Sequence, residues 1–306
     1  MSLFSSYKGA FICYLNLGRD RSRGRSLVSL RYFAPAEDVR DLVSVYYLFE
    51  VDQARFADNE RAAIAQLRFL LEGSAVISFA DGSRFPAKDT MLQGPSTGAM
   101  HFDVTGPFRM FGVGILPGGW AISTRKSAAD YTDRAVNAAE VFSQEIDKNL
   151  EYLRGCQTPE EMVAWADKIY RALKPRLKPE TAAFTKMIDE WLSSEPSPPV
   201  SRLMEQSSQS SRQVLRTVNK LYGMPPKYLA RKYRALRAAR AYAEHNEEEL
   251  LELVDAFYDQ SHMIREVKFF AGVTPTQLRV GEGETARLID QRGNLKGQIA
   301  PLTSDT

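Results

Sequence analysis

The sequence predicts a two-domain α+β chain: an N-terminal antiparallel β barrel or jelly-roll-like domain with an appended helical segment, then an all-α domain with two helix-turn-helix units joined by a long helix. Three observations predict it. At 306 residues the chain exceeds the roughly 100–200 residues of a single core. Its apolar spacing changes from two to three and four near Asp130. Its positive charge is concentrated in one stretch: Ser201 to Arg240 carries ten Lys and Arg against the single acid Glu205, a net +9 in a chain whose overall charge is +2. Such asymmetry reports a polyanionic partner better than the total does.

The β half is read from alternation and turn signals. In Leu42–Val51 the residues Val43, Val45, Tyr47, Phe49 and Val51 fall on one side of a period-two pattern, which predicts a strand. Ala75–Phe79, an Asp81-Gly82 turn suited to a hairpin and Phe108–Ile115 add further β signals. Residues from about 27 to 120 therefore form the predicted sheet domain. Met162, Ala166, Ile169 and Leu173 then recur at helical spacing, and a second helix carries Phe184, Met187, Ile188, Trp191 and Leu192. The run Glu195-Pro196-Ser197-Pro198-Pro199 stops that helix and marks a linker. The implied divisions are 1–140, a β-rich regulatory domain; 141–195, a helical segment suited to dimer formation; 196–280, the C-terminal helical domain; and 281–306, a flexible tail.

Within 196–280 the polar faces carry the chemistry. Ser210 is a plausible N-cap for a helix that buries Val214, Val218 and Leu221 and presents Arg212, Gln213, Arg216 and Lys220. Guanidinium forks match the two acceptors of guanine, and a carboxamide matches adenine, so this face suits the major groove. An isolated basic face is more often a merely solvated one. The following segment argues against that: Leu229, Tyr233, Leu236, Ala239 and Ala243 mark a long helix dense in cations, able to bridge two units and neutralise phosphates. A second unit follows, with Leu250–Val254 as first helix, Ala256–Asp259 as turn and Gln260–Phe270 as second helix. That helix buries Met263 and Val267 and opens Gln260, Ser261, His262, Arg265 and Lys268 to solvent.

Three stretches, Ser210–Arg216, Gly223–Arg231 and Tyr258–Gln277, together resemble the two-unit DNA-binding domain of the AraC/XylS family. Asp259-Gln260-Ser261-His262, followed by Arg265, Lys268, Phe270, Gly272, Val273, Thr274 and Pro275, carries most of the likeness. The resemblance covers residues 200–279. It implies a sequence-specific transcription regulator on double-stranded DNA, an activator or a repressor, with the two short helices about one duplex turn (roughly 34 Å) apart. Arg212, Leu215 and Arg216 match the first base-facing positions and Gln260, Ser261 and Arg265 the second, with Gln213 joining the first set from its place on the helix face. Phosphate contacts fall to Lys220, Lys227, Arg231, Lys232, Arg234 and Lys268. Phe270, Val273 and Pro275 match packing positions. Ala256 stands where the family's turn usually has Gly, and Glu247-Glu248-Glu249 would repel a nearby phosphate. Both departures make the first unit the expected main contributor. The β half is loosely similar to domains that precede such units, which implies a homodimer and a sensing role for a small-molecule effector of unknown identity.

Other classes lack support in the residues. Residues 27–120 contain one histidine, His101, and a metal site needs several converging ligands. Gly112, Gly114 and Gly118 have the wrong spacing for a dinucleotide loop, and no nucleophile elbow or Walker-type lysine loop occurs. No enzyme activity, metal or cofactor is expected. Two cysteines, Cys13 and Cys156, fit a reducing cytoplasm rather than a disulfide framework. The apolar stretch Gly9–Leu17 runs into basic Arg19–Arg25 without a cleavage site, and no apolar run reaches the roughly 20 residues of a membrane span. The competing reading is a non-enzymatic ligand-binding or protein-interaction module whose basic face meets an acidic partner.

Overall fold

The computed structural model describes residues 28–281, 291–299 and 301–304. Cys13 and the Gly9–Leu17 and Arg19–Arg25 stretches lie outside these residues.

Eight strands form one antiparallel sheet: β1 (Val28–Phe33), β2 (Val43–Val51), β3 (Arg55–Glu60), β4 (Ala65–Ser78), β5 (Arg84–Pro86), β6 (Thr90–Gln93), β7 (Met100–Ile115) and β8 (Ala135–Asn137). The order is β1-β2-β7-β4-β6-β8, with β3 on β7 and β5 on β4. The pairings run as an open path. The Asp81-Gly82 turn closes the β4–β5 hairpin, with Gly82 at φ +85°. Phe79 N–H donates to Ser83 O across it.

β2 is apolar on both faces because both are covered. Tyr46 and Leu48 pack into a core shared with α3 (Glu145–Gly155) and α4 (Pro159–Leu173), whereas Tyr47, Phe49 and Val51 face Phe102, Val104 and Phe108. The expected one-sided alternation holds for Tyr47, Phe49 and Val51 and breaks at Val43. A register shift between Val43 and Tyr46 turns Val43 to the helix-covered face.

α4 itself buries Met162, Ala166 and Tyr170 in that same core. That face of α4 therefore packs on the chain's own sheet. Only Ile169 of the set stands out, at 38% exposure.

A second core begins at α5 (Pro179–Ser193). Phe184, Ile188, Trp191 and Leu192 pack with Leu203, Val214, Val218 and Tyr233 from α6 (Val200–Gln206), α7 (Ser211–Tyr222) and α8 (Pro226–Ala243). The proline run therefore connects two helices of one core rather than two bodies. Trp191 Nε1 donates to Pro199 O at 3.1 Å and fixes the turn. A third core joins α8 to α9 (Glu247–Val254), α10 (Gln260–Ala271) and α11 (Pro275–Arg279). The tail was expected to be flexible, yet its described parts fold back. Leu302 is buried against the α5 core and the Arg292 guanidinium lies 5.9 Å from the Tyr32 ring.

Candidate nucleic-acid interface

α7 and α10 are built alike. Each has 12 residues, a side-chain cap at its start and a left-handed glycine at its end. Ser210 Oγ accepts from Gln213 N–H at 3.4 Å, and Gln213 Oε1 accepts from Ser210 N–H at 3.0 Å. Asp259 Oδ1 accepts from His262 N–H at 2.6 Å. These bonds satisfy N–H groups that a first turn leaves open. Gly223 and Gly272, both at φ +80°, terminate the two helices.

Burial divides each helix. α7 buries Val214, Val218, Leu221 and Tyr222 and exposes Arg212, Gln213, Leu215, Arg216 and Lys220. Leu215 is 40% exposed, an apolar group set among cations. α10 buries Met263, Val267 and Phe270 and exposes Gln260, Ser261, Arg265 and Lys268. The Gln213 carboxamide oxygen is held in the cap, leaving its NH2 group for an outside partner. His262 is a packing residue: its ring stands against Phe257, and Nδ1 accepts from Tyr258 N–H at 3.2 Å.

The turn before α10 manages without glycine. Arg234 Nη1 donates to Ala256 O at 2.8 Å and its guanidinium covers the Phe257 ring at 4.5 Å. The acidic run ahead of it is partly neutralised within the chain. Glu249 pairs with Arg240 at 2.5 Å and Glu247 with Arg279 at 2.7 Å, while the acids sit favourably at the α9 N-terminus.

The phosphate set divides. Lys220, Lys227 and Lys268 are exposed. Lys232 is not: it is 3% exposed and Nζ donates to Ala63 O at 2.7 Å and Ser96 O at 3.0 Å, both in the sheet domain. Burial pulls its pKa down to about 7, against the upward pull of Asp133. Arg231 grips the buried Glu266 carboxylate at 2.7–2.9 Å, and Arg234 lies 3.6 Å from the same group with only 11% of its side chain exposed. Lys232 and Arg234 are internal ties, and Arg231, though 41% exposed, is committed to Glu266, a correction with a plain cause. α8 is alanine-rich and enclosed, burying Ala235, Leu236, Ala238, Ala239 and Ala241, so these three cations find carbonyls and carboxylates of neighbouring elements within reach.

The sheet domain grips both units. Ala62 N–H donates to Phe270 O at 2.7 Å and Ala99 N–H to Phe269 O at 2.9 Å, filling carbonyls that the end of α10 leaves open. Tyr228 O–H donates to Thr97 O at 2.9 Å, and Thr132 Oγ1 donates to Gly223 O at 2.8 Å. Between the domains lies a cavity of about 660 Å³. Phe49, Leu70, Ile77, Phe102 and Phe108 give it apolar walls, while Lys232, Tyr233 and Asp189 reach it from α8 and α5. Burial pushes the Asp189 carboxyl up to about 7, offset in part by a hydrogen bond from Tyr222 O–H. Deeper in, Arg68 Nη2 donates to both Glu60 oxygens at 2.7 Å and Nε to Tyr47 O–H at 2.9 Å. Arg68, Glu60 and Tyr47 had no distinguishing signal in the sequence, since strand spacing alone does not say which face encloses a cavity.

Among the described residues no group of three or more His, Cys, Asp or Glu could hold a metal ion, and no helix is long and apolar enough to cross a membrane.

Residues 31–137 match a family described as Domain of unknown function (DUF6597), about a third of the chain. No curated protein matches. Among solved structures, ToxT from Vibrio cholerae is 8% identical, covering 74% of this chain and 97% of its own, with a TM-score of 0.39. An apo ToxT carrying one substitution gives 8%, 84%, 98% and 0.43. Wild-type ToxT bound to an unsaturated fatty acid gives 10%, 82%, 93% and 0.41.

Proposed function

We propose that this chain is a sequence-specific, DNA-binding transcription regulator of the AraC/XylS type. In this reading α6–α7 and α9–α10 are its two helix-turn-helix units and α8 is the rod between them. The observation that carries the proposal is the matched exposure on α7 and α10. Arg212, Leu215 and Arg216 on one helix and Gln260, Ser261 and Arg265 on the other are open to solvent, while the opposite face of each helix is buried. Guanidinium and carboxamide groups on the outward side of a capped helix are what base-edge recognition requires. Lys220, Lys227 and Lys268 anchor the backbone.

The cavity adds an effector to this reading. Its volume falls in the range of small-molecule sites, about 300–1,000 Å³. Its apolar walls and its Lys232 and Arg68 cations suit a mostly apolar molecule with one polar or acidic end. Because Lys232 also ties the sheet domain to α8, occupancy there acts on the placement of the units.

The test compares two substitutions on a duplex selected by the purified protein. Arg216→Ala weakens binding by about 1–3 kcal/mol and relaxes preference at one base position. Lys220→Ala weakens all duplexes alike and lowers the salt slope by about 1. Identical behaviour of the two variants, or no advantage of the selected duplex over random DNA, would overturn the proposal.

A further inference from the structure

Beside α7 lies a surface groove of about 640 Å³ whose lining joins Ser210, Arg212, Arg216 and Lys220 of that helix to Ser127 of the sheet domain. The sheet domain therefore borders the first base-reading face directly. The bordering element is the turn Thr124–Ser127, which follows α1 (Pro117–Ser123).

This turn is held firmly. The indole Nε1 of Trp120, a residue 1% exposed, donates to Lys126 O at 2.9 Å. Thr124 Oγ1 donates to Trp120 O at 3.0 Å and accepts from Lys126 N–H at 3.2 Å. Arg125 sits at φ +56°, a left-handed conformation that costs a non-glycine residue roughly 1–2 kcal/mol and so reports a shape imposed by its surroundings. Beyond the turn, the 3-10 helix Ala128–Tyr131 packs on α7, and Thr132 Oγ1 is bonded to Gly223 O at the end of that helix. The turn thus runs directly into a segment bonded to the end of α7.

The side chains it presents are Arg125 and Lys126, both exposed. Neither forms an ion pair among the described residues. Asp130 is the one acid between Thr124 and Thr132. Arg125 and Lys126 directly precede Ser127, which lines the groove together with Arg212, Arg216 and Lys220, so the turn adds two exposed cations beside an already positive surface. They match a polyanion that continues past the end of α7.

We propose that the Arg125–Lys126 turn is a further phosphate-binding element, which grips the sugar-phosphate backbone flanking the segment that α7 reads. The sheet domain then adds to DNA affinity directly, and a shift of that domain against α7 changes affinity without touching a base contact. This inference rests on the DNA-binding reading above.

The experiment measures salt dependence of binding to the selected duplex for the full chain and for the double variant Arg125→Gly/Lys126→Gln, glycine being at ease at a left-handed φ. Each phosphate contact contributes about 0.9 to the log–log salt slope, so the variant's slope is expected to fall by roughly 1–2 with base preference unchanged. Trimming the duplex on the α7 side removes the difference between the two proteins. Equal slopes on the full selected duplex would overturn this proposal and leave the DNA reading standing. A wild-type chain with no preference for its selected duplex over random DNA would overturn both.

Discussion

Replacing Lys232 by Met tests how the two domains are joined. The ammonium is enclosed between α8 and the sheet domain and bonded to two backbone carbonyls, with burial drawing its pKa from 10.5 to about 7. Between those values the unfolded chain binds a proton that the folded chain does not. Stability therefore rises with pH from about 7 towards 10.5 and is unaffected by this group below about 7. Each pH unit within the window contributes up to about 1.4 kcal/mol, or about 3 kcal/mol between pH 7 and 9.5. Lys232→Met fills the space of the side chain, removes the titration and leaves Ser96 O without this donor. Urea unfolding at pH 7, 8, 9 and 9.5 reads the result as the difference between wild type and variant, which cancels the titrations they share. The expected outcome is a wild-type gain of about 3 kcal/mol that the variant lacks. Parallel pH profiles would refute the enclosed-ammonium account of this junction.

Asp189→Asn tests the opposite limb. The wild-type carboxyl, raised from 3.8 to about 7 by burial, contributes stability below pH 4 that is lost as pH rises to about 7; the variant's unfolding midpoint should be flatter across that interval. Glu266→Gln leaves Arg231 and Arg234 facing a neutral group. Because Arg231 is 41% exposed, a loss of about 1–3 kcal/mol is expected by urea titration. Gly223→Ala places a Cβ 2.5 Å from Thr132 Oγ1 and 2.7 Å from Pro95 Cγ at a left-handed φ, so thermal unfolding should shift downward by an amount equivalent to about 1–3 kcal/mol.

The two outward helix faces were legible in the sequence because caps, glycine ends and apolar spacing are local signals. Ser210, Val214, Val218 and Gly223 delimit α7 without reference to any distant residue. α8 was misread for the same reason. Lys232, Arg231 and Arg234 look like free cations on the helix, but the groups that bind them come from Ala63, Ser96 and Glu266, between 32 and 169 residues away. A similar limit applied to the β half. Ala75–Phe79 and Phe108–Ile115 flag only the ends of β4 and β7, whose full lengths of 14 and 16 residues depend on partners in the sheet. The register shift in β2 is likewise a consequence of pairing. The cavity and the Arg125–Lys126 turn had no sequence signal, since both arise where separate elements meet.

The most direct test is recovery of bound fragments from a random duplex pool by the purified full chain, followed by competition with random DNA. Two conserved blocks about one helical turn apart should emerge, with Arg216→Ala altering one block and Arg265→Ala the other. Recovery of no common sequence, or both variants acting on the same block, would contradict the claim that α7 and α10 each read a separate stretch of groove.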